Sequence, residues 1–434
     1  FSQNLSEPPA MPRAAALELL DAVLGHKRLL DEALDQATRF NRLAERDRAL
    51  TSMITRTVLR HLGEIDALID AFLDKPLGKR GQNAKNVLRI GLAQLLFLEI
   101  ADHAAVDTTV ELCSGGDLAP YRKMINAVLR RAQREGQAVL AALDAPRVNT
   151  PAWLWDSWVD AYGVDTARAI AIQHMIEPPL DITPKSNPAQ WAEALEGQMM
   201  PTGTVRLFHK ASVTTLEGFA EGEWWVQDLA ASLPARLLGN VEGIDVIDLC
   251  AAPGGKTMEL AAAGGQVVAV DRSAKRLERV QQNLDRTGLG AKLVVADAET
   301  WRPVMLADAV LLDAPCSATG TARRHPDVLC LKTQADVTKL ANLQGRLLTA
   351  AVDMVRPGGL IVYCTCSLQP EEGEQQIDTL LASGAPVELD PIKPAEAGAL
   401  AHVVTAKGYL RTLPCHLGDQ GGMDGFFAAR LRRR

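Results

Sequence analysis

Aromatic residues make up only 4% of this 434-residue chain. The longest apolar run, Gly91-Leu-Ala-Gln-Leu-Leu-Phe-Leu-Glu-Ile100, is short and is broken by Gln94 and Glu99. That excludes a membrane-spanning helix. No charged stretch followed by an apolar one marks the start as an export signal, so a cytoplasmic protein without a membrane partner is expected. Cysteine is sparse: seven residues, an odd number, widely scattered, which does not make a disulfide framework. An excess of positive charge is also lacking. The net charge of −7 argues against nucleic-acid binding over the whole surface. Local basic runs do exist, at Tyr121-Arg-Lys-Met-Ile-Asn-Ala-Val-Leu-Arg-Arg-Ala-Gln-Arg134 and at the C-terminal Arg430-Leu-Arg-Arg-Arg434. Taken alone, such a run is ordinarily a solvated face.

What is present is the composition of a soluble globular protein, 47% hydrophobic and 23% charged. The chain is too long for one ordinary core, so two or three domains are expected. From about 12 to 142 the apolar spacing is helical, as in Leu17, Leu20, Leu24 and in Leu88, Leu92, Leu95, Leu96. The breakers Gly63, Pro76-Leu-Gly78 and Cys113-Ser-Gly-Gly-Asp117 fall between these stretches. Residues 1–143 therefore read as an all-α domain. A proline-containing linker, Asp144 to Pro151, leads into a mixed region over 151–239. A Trp-rich helix from Trp153 to Tyr162 and a second helix are expected there, then strands at Leu180-Asp-Ile-Thr183 and Thr204-Val-Arg-Leu-Phe208, together a small α+β module.

From 240 to 434 the pattern changes to alternating strands and helices. Ile244–Cys250, Gln266–Asp271, Lys292–Asp297, Ala309–Asp313 and Gly359–Cys364 are short apolar runs without alternation. Such runs predict a parallel sheet covered on both faces, a doubly wound, Rossmann-like α/β domain. Ligands of such sheets bind beyond the carboxyl ends of the strands. Asp248, Asp271, Asp297 and Asp313 each lie at or near such an end. One such acid is often only a helix cap; four in succession would converge on one crevice.

Three nucleotide loops compete for Asp248-Leu-Cys-Ala-Ala-Pro-Gly-Gly-Lys-Thr257. A triphosphate loop needs a glycine where Cys250 stands, and the dinucleotide fingerprint G-x-G-x-x-G is missing too. A strand–Gly-Gly–helix turn followed by Asp271 suits adenosine, whose ribose hydroxyls a carboxylate can hold. A cationic sulfonium also favours an acid-lined crevice, so the loop reads as a site for S-adenosylmethionine.

Asp313-Ala-Pro-Cys-Ser-Ala-Thr-Gly320 follows one strand and Tyr363-Cys-Thr-Cys-Ser367 ends the next. Adjacent parallel strands bring both loops to the rim of the crevice. A stabilised cysteine thiolate is a strong nucleophile. Cytosine carbon 5 is too poor a nucleophile to take a methyl group directly, but a thiolate added at carbon 6 turns it into an enamine that can. A base must then remove the carbon-5 proton. Two cysteines and a carboxylate at one rim suit that chemistry. On spacing alone, a pair of small buried hydrophobes fits the cysteines equally well.

The motifs Asp248–Thr257, Asp313–Gly320 and Thr365-Cys-Ser367 together resemble the RNA 5-methylcytosine methyltransferases. Arg323-Arg-His-Pro-Asp327 is similar to the RsmB/Fmu (Sun) branch, which acts on small-subunit ribosomal RNA, and Gly422-Met-Asp-Gly-Phe-Phe427 to its closing strand. The helical third resembles the RNA-binding factor NusB. The resemblance covers nearly the whole chain. It implies Cys366 as nucleophile, Cys316 as the cysteine that assists proton removal and product release, and Asp313 as partner of cytosine nitrogen 3 or the exocyclic amine. It assigns cofactor contacts to Cys250, Ala251, Ala252, Pro253, Gly254, Gly255, Lys256, Asp271, Asp297 and Asp313, with Asp271 on the ribose and Asp297 on the adenine amine. The target base must be unstacked to reach such a pocket. Ribosomal RNA is the expected partner, with no metal and a monomeric chain.

One departure is Cys364, where the family more often has serine; a metal site on Cys364 and Cys366 would need further ligands at zinc-like spacing. Cys113, Cys250, Cys330 and Cys415 read as structural. His325, beside Arg323 and Arg324, reads as a phosphate contact. Rival readings are the same chemistry on transfer RNA, and a NusB-like assembly factor with a vestigial transferase half. A P-loop ATPase is a more distant one, weakened by Cys250.

Overall fold

The computed structural model describes residues 11–209 and 212–434, so the first ten residues of the expected helical domain lie outside the description. It divides into two compact units, Phe1–Met175 with Ala322–Lys332, and Ile176–Thr321 with Thr333–Arg434.

The first unit is built of helices, among them Met11–Leu20, Glu45–Arg60, Leu62–Phe72, Gln82–Leu96, Asp102–Glu111 and Arg122–Ala141. Their apolar stripes meet in one core that includes Leu19, Leu20, Ile54, Val58, Ile65, Leu88, Leu92, Ile125 and Leu129. Gly91 permits a close approach: a Cβ there would lie 2.6 Å from Leu129 Cδ2. Gln94, which interrupts the longest apolar run, is buried and answered on both ends of its amide. Arg13 Nε donates to its Oε1 at 2.9 Å, and its Nε2 donates to Thr109 Oγ1 at 3.1 Å. A satisfied buried amide of this kind is tolerated and fixes helix register. The Trp-rich helix forms as Ala152–Tyr162 and the next as Val164–His174, both grouped with this unit. Trp158 is fully buried, edge-on to His174.

Ala322–Lys332 is counted with the helical unit although it follows the Asp313–Gly320 motif in sequence. Asp327 Oδ2 accepts from Leu30 N at 2.9 Å, capping the first turn of the helix Leu30–Gln36 from outside it. Arg60 Nη2 donates to Arg323 O at 2.9 Å, and Arg323 itself is 1% exposed. His325 lies 3.5 Å from Asp31 with its side chain 42% exposed. The motif is therefore built into the helical unit, and Arg323, one of the two cations beside His325, is not presented to solvent.

The second unit contains two sheets. The smaller consists of β1 (Leu180–Pro184), β2 (Gln198–Met199), β3 (Val205–Leu207) and β4 (Trp224–Val226), antiparallel in the order β2-β3-β1-β4. At its centre Arg206 and Asp181, both fully buried, pair through two bonds of 2.7 Å. Asp181 Oδ2 also accepts from Leu229 N at 3.1 Å, tying the sheet to the start of the helix Leu229–Arg236.

The larger sheet consists of β5 (Asp245–Leu249), β6 (Gln266–Asp271), β7 (Lys292–Val295), β8 (Ala307–Asp313), β9 (Val355–Thr365), β10 (Val387–Leu389), β11 (Leu410–Arg411) and β12 (Phe427–Arg433). Its order is β10-β12-β9-β8-β5-β6-β7, with β11 beside β12. From β9 to β7 the pairing is parallel, as the uninterrupted apolar runs predict. The expectation of a wholly parallel sheet fails at one strand: β12 is inserted antiparallel between β9 and β10. Its alanines and buried Arg430, paired with Glu396 at 2.6 Å, hide the apolar run that marks the other strands. Helices and loops cover both faces, one around Leu347, Leu348 and Ile377, the other around Leu229, Leu233 and Leu260. The turn into the helix Gln334–Val352 is fixed by a reciprocal cap between Thr333 and Asp336.

Candidate active site

Three loops leave the carboxyl ends of β5, β8 and β9 side by side. After β5 the chain turns through Cys250 (φ +60°) and Gly254 (φ +102°), and the helix Gly255–Ala262 begins at once. A backbone with φ that positive strongly favours glycine at 254, whose Cβ would in addition meet Val280 at 3.0 Å. The loop is latched to the end of β6: Ala252 N donates to Asp271 Oδ2 at 3.3 Å, and Asp271 Oδ1 accepts from Ser273 N at 3.0 Å. Burial first, then Asp313, Asp271 and Asp248, push the Cys250 thiol up to about 12. Ala251, Ala252 and Pro253 complete the turn. Asp248, fully buried beneath it, accepts from Thr257 Oγ1 at 2.6 Å, while its Oδ1 has no partner among the described residues. Burial, with Asp313 and Asp271 adding to it, raises its carboxyl to about 7.

Lys256, on the first turn of that helix, reaches across to β8. Its Nζ lies 2.8 Å from Asp313 Oδ2 and 5.1 Å from the centre of the Phe426 ring. Burial alone would lower the ammonium; Asp313 and the thiols of Cys364 and Cys366 hold it above its ordinary value instead. Cys364 donates to the other oxygen, Asp313 Oδ1, at 3.5 Å. Cys364 thus stands where the family more often has serine and points a donor at the same carboxylate.

The two motif cysteines meet. Cys316 Sγ lies 3.4 Å from Cys366 Sγ, within hydrogen-bond reach for sulfur. The bond to Cys366 first, then burial, then the charges of Cys366 and Glu372 raise the Cys316 thiol well above its ordinary value. Backbone bonds frame the pair: Ala314 N to Cys364 O at 3.0 Å and Gly320 N to Cys366 O at 3.0 Å. The closing motif packs against them, with Gly425 N donating to Gly320 O at 2.8 Å.

Of the expected site residues, Lys256 and Asp313 touch, Cys316 and Cys366 touch, and the Cys250–Gly255 loop touches Asp271. Asp297 stands apart from these contacts: it lies two residues beyond β7, exposed, with Oδ1 accepting from Glu299 N at 2.9 Å in its own turn. Unforeseen in the sequence is Glu372, a fully buried carboxylate between the two cysteine loops. Its neighbours Glu371 and Glu374 make it look like one more acid of a solvated helix start.

Comparison with known proteins gives a consistent picture. Residues 235–432 match the family "16S rRNA methyltransferase RsmB/F" and residues 10–134 match the NusB family. The chain is 39% identical to the ribosomal RNA small subunit methyltransferase B of Pseudomonas syringae pv. tomato, covering 97% of this chain and 96% of that protein. It is 38% identical to the protein of the same description from Xanthomonas campestris pv. campestris, over 88% and 90% of the two chains. Among solved structures, PH0851 shares the fold with a TM-score of 0.74 at 23% identity, covering 99% of this chain and all of that one. NSun6 from Pyrococcus horikoshii shares it with a TM-score of 0.56 at 21% identity, over 65% of this chain and 98% of that one. The chain belongs to the RsmB/F family of 16S rRNA methyltransferases.

Proposed function

We propose that the protein methylates carbon 5 of a cytosine in small-subunit ribosomal RNA through a covalent adduct on Cys366. The observation that carries this reading is the 3.4 Å separation of Cys316 and Cys366 at the rim that also holds Asp313 and Lys256. The methyl donor is S-adenosylmethionine. The residues present suit it: a turn with Gly254 and Gly255 for close approach, Asp271 for the ribose, and an acid-lined crevice for a cationic sulfonium. Cys250 to Lys256, Asp271, Asp297 and Asp313 would hold it, and when bound it supplies an electrophilic methyl group.

The chain's own groups do the rest. Cys366 adds to carbon 6 of the unstacked cytosine while Asp313, paired with Lys256, holds nitrogen 3 or the exocyclic amine. The carbon–sulfur bond consumes the charge on Cys366. The hydrogen bond and charge that Cys366 presents to Cys316 then fall away, while burial and Glu372 remain; Cys316, its own proton passed to solvent, takes the carbon-5 proton once carbon 5 carries its methyl. Loss of that proton expels Cys366. This route asks for no metal ion and for only one chain.

Residues 1–143 serve as the NusB-like RNA-binding part, 151–239 as a small RNA-recognition module and 240–434 as the transferase. The helix Arg122–Ala141 supports the first assignment: Arg122, Lys123, Arg130 and Arg134 are exposed on it while Ile125, Val128, Leu129 and Ala132 are buried. No helix of the described residues is long and apolar enough to cross a membrane. The test is transfer of labelled methyl groups to separated RNA pools. Label in small-subunit ribosomal RNA, lost in Cys366→Ala, is expected; label confined to transfer RNA would contradict the substrate, and label in neither the activity.

A further inference from the structure

We propose that Glu372 is a positioning residue of the reaction, fixing the Cys316 loop against the Cys366 loop; this rests on the roles proposed for the two cysteines. Glu372 is fully buried, in the short turn Pro370–Glu372 that follows β9. Its Oε1 accepts from Ser317 N at 2.9 Å and Gln344 Nε2 at 3.0 Å, and its Oε2 from Ser317 Oγ and Ser367 Oγ, both at 2.5 Å. Ser317 follows Cys316 and Ser367 follows Cys366, so one carboxylate holds the neighbour of each sulfur. Gln344 completes the clamp by donating also to Pro315 O at 2.9 Å, so the chain is held immediately before and after Cys316. The Glu372 carbonyl is anchored in turn, accepting from Tyr363 Oη at 2.8 Å and Thr365 Oγ1 at 3.2 Å on β9.

A buried carboxylate is costly unless its lone pairs are filled. Four donors fill these, and no ion pair with a cation of the described residues shares the charge. An apolar or neutral residue would fill the space more cheaply. What the carboxylate adds is acceptance: two oxygens that draw donors from both loops to one point. Glutamine has one acceptor oxygen and can only donate to the serine hydroxyls, so the two charge-assisted bonds to the carboxylate become weaker neutral ones and the hold on both loops loosens. Displacement of a reacting group by about 1 Å is enough to cost roughly a hundredfold in rate. The step most exposed to it is release, which needs Cys316 at the adduct carbon while Cys366 is bonded beside it.

The experiment compares Glu372→Gln, Cys316→Ala and the double variant for kcat, KM for RNA, and covalent protein–RNA adduct on denaturing gels. Glu372→Gln is expected to lower kcat about a hundredfold with KM within about threefold, and to accumulate adduct that the parent protein does not. The double variant should form adduct at the rate of Cys316→Ala, because Cys366 directly follows β9, which β8 and β12 hold on either side without Glu372. Unchanged turnover in Glu372→Gln, turnover lost without adduct, or a double variant that forms none where Cys316→Ala does, would each overturn the proposal. No adduct in Cys316→Ala itself would overturn the release role of Cys316 and this proposal with it. If Glu372→Gln is insoluble, Ser317→Ala with Ser367→Ala removes both hydroxyl donors, and the same readouts apply.

Discussion

The Lys256 ammonium, in the first turn of the helix after β5, and the Asp313 carboxylate, at the end of β8, lie 2.8 Å apart, with Cys364 on β9 bonded to the carboxylate's other oxygen. One carboxylate thus links the cofactor loop to both cysteine strands. Asp313 is only partly exposed, and with its two oxygens engaged by different partners it presents a fixed face to the crevice.

Cys364→Ser should be tolerated, because a hydroxyl supplies the same donor to Asp313 over a shorter bond. Cys364→Ala leaves that oxygen without its donor and should lower kcat several-fold at a stability cost of about 1 kcal/mol. Steady-state methylation and thermal unfolding of the two variants check this; equal behaviour would remove Cys364 from the site.

Asp248 gives the protein a pH dependence of known sign. Its carboxyl titrates near 7 when folded and near 3.8 when unfolded. The folded state therefore holds the extra proton between those values, and the contribution is complete below about 4 and lost as pH rises through 7. A difference of that size corresponds to on the order of 4 kcal/mol. Asp248→Asn keeps an acceptor for Thr257 and should flatten the fall in stability across this window, measured by urea unfolding at several pH values. A slope unchanged from the parent would contradict the buried, protonated carboxyl.

A methyl group at Gly320 would lie 2.0 Å from Gly425 O, between the Cys316 loop and the closing motif. Gly320→Ala should cost about 1–3 kcal/mol from overpacking and slow turnover by displacing Cys316. Wild-type melting and rate would show that the two loops do not need this contact.

The exposed cations of the helix Arg122–Ala141 should set the salt dependence of RNA binding. Replacing Arg122, Lys123, Arg130 and Arg134 by alanine should shallow the slope of log K against log salt by about 1 to 3, since each phosphate contact contributes roughly 0.7 to 0.9. An unchanged slope would mark this face as merely solvated.

Much of this was legible because it is local. Each strand of the parallel part announces itself as an apolar run, and Asp248, Asp271 and Asp313 lie in or at the ends of three of them. The loop glycines and the two cysteine motifs sit where a strand stops, so adjacency of β8 and β9 is enough to bring Cys316 to Cys366. What escaped was long-range. Glu372 draws its donors from Ser317 and Gln344, far away in sequence, and carries no pattern that separates it from Glu371. The strand β12, Phe427-Ala-Ala-Arg-Leu-Arg-Arg433, has three arginines and two alanines among seven residues and so lacks the apolar run of the other strands. The placement of Arg323–Asp327 in the helical unit depends on Leu30 and Arg60, hundreds of residues upstream.

The covalent route is tested most directly by incubating Cys316→Ala protein with small-subunit ribosomal RNA and S-adenosylmethionine, digesting the complex and locating the linkage by mass spectrometry. The expected result is a stable protein–RNA adduct with methylated cytosine bonded to Cys366, absent when Cys366 is also replaced. An adduct on any other residue, or methylation that proceeds in Cys366→Ala without one, would contradict it.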